Sequence, residues 1–132
     1  MAGETNLQLL LKNMQPQLNK GDYVFATVDE IALFDTTKMI SFFKEQQGYT
    51  LIVEKKIADE WKLKYSYVAA WITLTVHSSL EAVGLTAAFS KALGNAGISC
   101  NVVAAYYHDH IFVDVKDAGK AMKVLNDLAA NK

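Results

Sequence analysis

The sequence has little of what marks several classes of protein. It contains a single cysteine, Cys100, so no internal disulfide framework can form, and this residue lies in an apolar stretch where a small buried hydrophobe is expected. Acidic and basic residues nearly balance, at a net charge of −1, and no basic patch of the kind that binds nucleic acid occurs. No apolar run is long enough to cross a bilayer. These absences argue against a secreted disulfide-rich domain, a nucleic-acid-binding protein and a membrane protein.

The N-terminal residues also lack the pattern of a secretory signal. An acidic residue, Glu4, comes early, the apolar run Leu9–Leu11 is very short, and neither a basic start nor a cleavage pattern is present. We therefore expect a soluble, cytoplasmic protein in a reducing compartment. Its 132 residues, 52% of them hydrophobic, are enough for one ordinary domain or for two very small ones packed together.

What the sequence does contain is clearest in residues 71–132, where the pattern predicts strand, helix, strand, strand and helix. β-Branched residues favour the first strand, and Gly97 suits the end of the first helix because glycine readily adopts the left-handed conformation found there. Asp117 can cap the last helix. The predicted strands are Trp71–Val76, Ile98–Tyr107 and Ile111–Val115, and the predicted helices run from about Gly84 to Ala96 and from Ala118 to Leu128.

The first half predicts a similar order with shorter elements. Met39–Glu45 satisfies both the helical and the strand period, and the turn residues that follow it favour a hairpin. The other predicted elements are a helix over Thr5–Met14 capped by Thr5, a strand over Asp22–Val28, a short helical connection over Asp29–Asp35, a strand over Tyr49–Glu54 and a helix over Ile57–Leu63.

The two halves resemble each other at the exit of each hairpin, where a strand, charged residues and a helix follow in turn. We interpret this as a weak internal repeat of an α+β, ferredoxin-like unit (βαββαβ), with helices on one face of an antiparallel sheet. The predicted lobes are residues 1–66, with a leading helix, and residues 67–132. The second lobe lacks its last strand, so we expect the N-terminal lobe or a second chain to cover its open sheet edge.

These patterns resemble those of the ACT domain, a small-molecule-sensing module. The resemblance rests on WITLTV at Trp71–Val76, HSSLEAVGL at His77–Leu85 and AGISCNVVAAYYHDHIFV at Ala96–Val113, and it extends over residues 5–130. The chain is similar to stand-alone bacterial ACT proteins with two ACT-like lobes and to the lobes of the cytosolic arginine sensor of animals. The resemblance implies two tandem ferredoxin-like lobes, an amino-acid ligand and a regulatory role. The open sheet edge of the second lobe adds the expectation of a homodimer.

The resemblance also implies a ligand site where the loop after the first strand meets the start of the second strand of a neighbouring lobe. There is also a physical reason to expect a ligand at this loop, because the free N–H groups and the positive dipole end of the following helix favour a carboxylate. Its glycine permits close backbone approach, and its serines add donors. In the alternative interpretation, these residues only shape the turn. The predicted ligand-binding residues are Ser78, Ser79, Glu81, Val83, Gly84, Leu85, Thr86, Ile98 and Asn101.

The cluster His108-Asp109-His110 suggests metal or acid–base chemistry. In a strand the two histidines would share a face and could ligate zinc, but a structural site needs further ligands and His77 is the only obvious candidate. We interpret the cluster as the tight turn of a hairpin, since Asp and His tolerate positive φ. We therefore predict no metal site and no cofactor.

No pattern for nucleophilic catalysis occurs. The GxSxG motif, the P-loop and the dinucleotide glycine fingerprint are absent, and Cys100 lacks surroundings that would activate it. We therefore predict a non-enzymatic protein that binds a small metabolite, an amino acid by resemblance, and signals through a lobe or subunit interface. The alternatives are an assembly module that binds no ligand and, less favoured, a metal-dependent hydrolase built on the His108–His110 turn.

Overall fold

A computed structural model describes residues 6–75 and 83–130. The helices are α1 (Leu7–Asn13), α2 (Lys55–Glu60), α3 (Leu85–Asn95) and α4 (Ala118–Ala130). The strands are β1 (Pro16–Leu18), β2 (Tyr23–Val28), β3 (Ser41–Glu45), β4 (Gly48–Glu54), β5 (Val68–Leu74), β6 (Asn101–Ala104) and β7 (Asp109–Asp114). Short 3₁₀ turns lie at Ile31–Leu33, Thr36–Lys38 and Val115–Asp117. This content confirms the predicted α+β, ferredoxin-like class.

The chain divides into two compact units. The first unit combines Met1–Asn19 with Ala70–Lys132, and the second unit is Lys20–Ala69. Strand β5 therefore begins in the second unit and ends in the first. The leading helix α1 belongs to the same unit as the C-terminal residues.

In the first unit, helices cover one face of the sheet. Side chains alternate between the faces of a strand, so Ile72 and Leu74 of β5 point into the core while Trp71 and Thr73 point to the other face. The apolar stripes predicted for the helices are buried against these strands. The helical residues of this core include Leu10, Leu11, Leu85, Phe89, Leu93, Ala121 and Leu125.

The sheet of the first unit has the strand order β1-β5-β7-β6. Strand β1 pairs antiparallel with β5, with Pro16 opposite Leu74 and Leu18 opposite Ile72. This short strand takes the place of the last strand of a βαββαβ unit. The sequence did not predict β1, but the expectation that the N-terminal part of the chain covers the open edge is confirmed.

The sheet of the second unit has the order β3-β4-β2, and the first residues of β5 pair with β2. Its core comprises Val24, Val28, Leu51, Val53 and Ala58. The predicted helical connection over Asp29–Asp35 contains one 3₁₀ turn, Ile31–Leu33, and a second 3₁₀ turn follows it at Thr36–Lys38. This unit is therefore covered by the short helix α2 and by those turns.

The hairpin of the second unit confirms the strand interpretation of Met39–Glu45. Strand β3 pairs antiparallel with β4, from Ser41 opposite Ile52 to Glu45 opposite Gly48. The turn between them contains only residues 46 and 47. Such two-residue turns set the register of a hairpin.

The hairpin of the first unit turns earlier than predicted. The Ala105 N–H donates to the carbonyl oxygen of His108 at 3.1 Å, so Tyr106 and Tyr107 form the turn. Residues 109 and 110 lie in β7. The predictions of a strand through Tyr107 and of a turn at residues 108–110 are therefore wrong, because the backbone closes around the tyrosine pair and leaves both rings exposed.

Helix caps and boundaries also differ from the predictions. Asp114, and not Asp117, caps the turn before α4, since its carboxylate accepts from the N–H two residues on at 3.0 Å. Asn6 caps α1, and the predicted cap Thr5 lies outside the described residues. Strand β5 starts a few residues before Trp71, and α2 ends a few residues early. In the described ranges, no helix is long and apolar enough to cross a membrane.

Candidate functional site

The start of α3 is the part of the predicted loop that the structure describes. Gly84 precedes the helix in a left-handed conformation, at φ 100°, and its carbonyl accepts from the Ala88 N–H at 2.9 Å. The N–H groups of the first turn have no partner within the helix. Within residues 6–75 and 83–130, no side chain accepts from the N–H groups of Leu85, Thr86 or Ala87. These donors and the positive end of the helix dipole suit a carboxylate.

Glycine is required at position 84. A φ of +100° is rarely adopted by residues with a side chain, and a Cβ there would lie 3.1 Å from Leu7 Cδ2. The backbone at Gly84 therefore lies directly against Leu7 of α1. Replacing Gly84 would strain the fold, so such a variant cannot separate loss of ligand binding from loss of stability.

The remaining loop residues of the predicted site differ in what the structure describes. Ser78, Ser79 and Glu81 lie outside the described residues. Val83 is 83% exposed and Thr86 is also exposed, so both border the open N-terminus of α3. These two side chains can meet a ligand there.

The residues predicted around the second strand are placed differently. The side chains of Leu85 and Ile98 are each only 3% exposed, so they belong to the core and leave only their backbones for a ligand. Asn101 is exposed at the start of β6, and its amide donates to the backbone carbonyl of Phe112 at 3.4 Å.

The first unit does not bring the two halves of the predicted site together. Helix α3 has 11 residues and separates Gly84 from Ile98 and Asn101. At about 1.5 Å per residue, such a helix spans about 16 Å. The loop and the strand start therefore lie at opposite ends of α3.

A polar network that the sequence did not predict lies on the sheet face away from the helices. The Trp71 Nε1–H donates to His110 Nδ1 at 3.0 Å, and the Thr73 hydroxyl lies 3.2 Å from the same nitrogen. The indole N–H can only donate, so Nδ1 accepts and the proton of the neutral ring is on Nε2. The Asn19 amide donates to the Thr73 hydroxyl at 2.9 Å and extends the network.

The surroundings of His110 favour its neutral form, because the pKa of the imidazole is lowered. Burial lowers the pKa of the imidazole, and the neighbouring His108 lowers it further. A proton on Nδ1 would also face the indole N–H of Trp71. The ring therefore presents a single N–H donor, at Nε2, on a half-buried face.

Asp109 precedes His110 in β7 and is only 8% exposed. Burial raises the pKa of its carboxyl, and the neighbouring His108 offsets part of that rise. The described residues contain no group of three His, Cys, Asp or Glu side chains that could hold a metal ion. We assign no catalytic role to this segment.

The second unit carries an open, charged cleft of about 270 Å³, and Lys55, Lys56, Glu54 and Asp59 form ion pairs in it. Lys55 Nζ donates to the Asp59 carboxylate at 3.2 Å, and the Tyr65 hydroxyl donates to the same carboxylate at 2.6 Å. The hydrogen bond to Asp59 raises the pKa of Lys55, and the bonds from Tyr65 and Lys55 lower that of Asp59. The cleft is lined by Gly21, Asp22, Glu54, Lys55, Lys56 and Asp59.

Cys100 offers no nucleophile. It is partly buried, and burial raises the pKa of its thiol. A raised pKa keeps the thiol protonated near neutral pH, and the protonated form reacts poorly.

Comparison with known families identifies the fold. Profiles of the ACT domain match residues 2–70 and residues 66–127. The chain belongs to the ACT domain family. Two ACT matches in tandem confirm the predicted resemblance, and neither profile describes a catalytic domain.

A solved structure from Vibrio cholerae is similar along nearly all of this ACT-domain chain. That protein is of unknown function and is described as a possible transport protein. It is 48% identical, with a TM-score of 0.85, and the match covers 93% of this chain and 95% of that one. No curated protein matches the chain.

More distant structures share the ACT fold alone. The regulatory subunit of aspartate kinase from Thermus thermophilus is 10% identical, with a TM-score of 0.58, over 86% of this chain and 95% of that chain. Aspartate kinase from Clostridium acetobutylicum, described as an allosteric enzyme, is 14% identical, with a TM-score of 0.66. That match covers 95% of this chain and 36% of the kinase.

Proposed function

We propose that this ACT-domain protein is a cytoplasmic, non-enzymatic regulator that binds a small metabolite, in the first place an amino acid. The observation that carries the proposal is the open start of α3, where the N–H groups of Leu85, Thr86 and Ala87 follow a glycine that lets a ligand approach. The α-carboxylate of an amino acid suits these donors. Membership of the ACT family supports the same class of ligand.

The ligand would bridge two lobes. Gly84 and Asn101 lie at opposite ends of α3, so a ligand at the loop of one lobe can meet second-strand residues only from a neighbouring lobe or subunit. We propose residues 1–66 and 67–132 as the two lobes and a homodimer as the assembled form. A ligand held between two surfaces shifts their arrangement only by its differential affinity for one state.

Similar structures support a regulatory role. The Thermus thermophilus protein is a regulatory subunit, and the Clostridium acetobutylicum enzyme is allosteric. By analogy, we propose that this chain passes its bound state to a partner protein. A carrier of the same metabolite, in line with the description of the Vibrio cholerae relative, would use the same site.

A thermal-shift screen against amino acids and related small carboxylates tests this proposal. A ligand that binds only the folded state raises the free energy of unfolding by about 2.7 kcal/mol at about a hundredfold excess over its Kd. We expect one compound or one small class to raise the melting temperature. No shift across the panel would contradict the sensing function.

The variant Val83→Asp tests where the ligand binds. Val83 is 83% exposed, so its replacement leaves the core intact, and the new carboxylate competes with the ligand for the N–H groups of α3. We expect the ligand-induced shift to disappear without a loss of stability in the free protein. Leu33→Asp, at a residue of the second unit that is 74% exposed, is the matched control and should keep the shift.

An assembly module that binds no ligand is the second candidate function. The exposed edge strand β3, with Phe42 and Phe43 open to solvent, favours it. An intact dimer together with no shift across the panel would support this function over sensing.

A further inference from the structure

The carboxylate of Asp109 is a buried acidic group without a partner. The residue is only 8% exposed, and within residues 6–75 and 83–130 its side chain makes no hydrogen bond and no ion pair. Burial raises the pKa of the carboxyl, and among those residues only the neighbouring His108 offsets part of the rise. Buried carboxylates are normally paired or hydrogen-bonded, so an unpartnered one points to a group that binds there.

Contacts between β5 and β7 fix the end of the sheet at which Asp109 lies. The Thr73 hydroxyl lies 3.2 Å from Nδ1 of His110. Trp71, two residues earlier in β5, stacks on Phe112, two residues later in β7, with ring centroids 6.1 Å apart. The two strands therefore run in opposite directions, and β7 starts where β5 ends. Asp109 is the first residue of β7 and lies at that end.

The start of α3 lies at the same end of the sheet. Helix α3 connects β5 to β6, and β7 lies between these two strands, so the helix passes over β7. Ile111 and Val113 of β7 share a core with Leu85 and Phe89 of α3. Asp109 lies on the same face as Ile111 and Val113, because alternate residues of a strand point to the same side. Its carboxylate therefore points towards the first turn of α3.

We propose that Asp109 binds the α-ammonium group of an amino acid whose carboxylate lies at the start of α3. The inference rests on the proposed function and names a further residue of the same site. The N–H groups of Leu85, Thr86 and Ala87 suit the carboxylate, and Asp109 supplies a charge of the opposite sign for the ammonium group. A hydrogen bond between two charged groups is among the strong ones, and it offsets the cost of burying Asp109. The site therefore selects α-amino acids over carboxylates that lack the amino group.

A structural role or a metal ion explains Asp109 less well. A carboxylate that serves the fold as a helix cap accepts from a nearby backbone N–H, as Asp114 does from Lys116 at 3.0 Å before α4. Asp109 accepts no such bond from the described residues. The same residues contain no group of three His, Cys, Asp or Glu side chains that could hold a metal ion. An ammonium group needs only the one carboxylate and the donors of α3.

Titration calorimetry with matched pairs of compounds tests the selectivity. Each amino acid of the thermal-shift panel is paired with the same carboxylate without its amino group, such as alanine with propionate, glutamate with glutarate and phenylalanine with hydrocinnamate. We expect the amino acid that binds most tightly to have a Kd at least about tenfold below that of its paired compound. Equal Kd values within that pair would overturn the inference and leave the proposed function intact. No binding in any pair would contradict the proposed function, and the inference with it.

The variant Asp109→Asn tests the residue itself. The amide has nearly the same shape and no charge, so its burial costs less and the variant should fold. We expect its Kd for the amino acid to rise at least about tenfold, and its Kd for the paired compound to stay unchanged. Asp127→Asn removes a carboxylate that is 56% exposed on α4, and as the matched control it should bind like the wild type. A variant Asp109→Asn that keeps the wild-type preference would overturn the inference.

An NMR titration of the wild type tests the contact without any substitution. The signal of the side-chain carboxyl carbon of Asp109 should shift in a saturable way with the amino acid that binds most tightly. The paired compound without an amino group should leave that signal in place. A bound amino acid that does not move the Asp109 signal would overturn the inference, while the binding itself would still support the proposed function.

Discussion

The two units of this ACT-domain chain use similar strand orders but cover their sheets differently. In the first unit, long helices bury residues such as Phe89 and Leu125 completely. In the second unit, the short helix α2 and two 3₁₀ turns take the place of longer helices. Leu33, Phe42 and Phe43 remain exposed there.

The proposed functions depend on different features of the two units. The first unit contains the larger described core and the helix start that suits a carboxylate, so it can hold a ligand on a rigid base. The second unit leaves Phe42 and Phe43 exposed at an edge of its sheet. Under the proposed function, the ligand binds to the first unit.

The largest expected effect comes from truncating one large buried side chain in the core of each unit. Phe89→Ala in the first unit should lower the free energy of unfolding by about 3–5 kcal/mol, and Leu51→Ala in the second by about 2–5 kcal/mol, since both side chains are fully buried. Denaturant unfolding can follow each unit through its own tryptophan, Trp71 or Trp61, with the other replaced by Phe. A loss below about 1 kcal/mol in either variant would contradict the assignment of these cores.

A pair of glycines sharpens the comparison within the first unit. Gly84→Ala should destabilise the protein by about 1–3 kcal/mol, because φ is +100° and the new Cβ would meet Leu7 at 3.1 Å. Gly94→Ala, within α3 and with nothing within 4 Å of a Cβ, should stabilise it by about 0.4–1 kcal/mol. Urea unfolding of both variants measures the two changes in the free energy of unfolding, which should have opposite signs. Equal effects would mean that Gly84 is not held against Leu7 of α1.

Between about pH 7.5 and pH 5, where histidines titrate, the pH dependence should be smaller and should come from the first unit, which contains all three histidines. The folded-state pKa of His110 is lowered, so below the unfolded value of about 6.5 the unfolded chain binds more protons. Stability should therefore fall as the pH decreases from about 7.5 through this range.

The variant His110→Gln isolates this contribution to the pH dependence. The raised pKa of Asp109 has the opposite effect, because it increases stability as the pH falls, and the variant retains Asp109. The difference in pH dependence between the variant and the wild type therefore comes from the imidazole of His110. Urea unfolding midpoints at a series of pH values should decline less steeply with acid in the variant. An unchanged profile would contradict the account of a buried, neutral His110.

Much of the fold could be predicted from local patterns. The helical stripe containing Leu85, Phe89 and Leu93 and the alternation in β5 follow directly from side-chain geometry, and both are buried as expected. The ACT resemblance was also confirmed. The short strand β1 escaped prediction because three residues do not establish a period.

The predictions were wrong where contacts between distant parts of the chain determine the local structure. Tyr106 and Tyr107 have strong strand preference, yet the backbone bond between Ala105 and His108 makes them a turn. The bond between Trp71 and His110 depends on which strands are neighbours, information that the sequence does not carry locally. The predicted ligand residues stay a prediction, and the structure adds that their two groups lie at opposite ends of α3.

The most direct test of the account is an NMR titration of the backbone amides with the amino acid that gives the largest thermal shift. If its carboxylate binds at the start of α3, the amide signals of Leu85, Thr86 and Ala87 should shift in a saturable way and lose the shift in Val83→Asp. Saturable binding that leaves these three amides unchanged would contradict the proposed site, and no saturable change in any amide would contradict the sensing function.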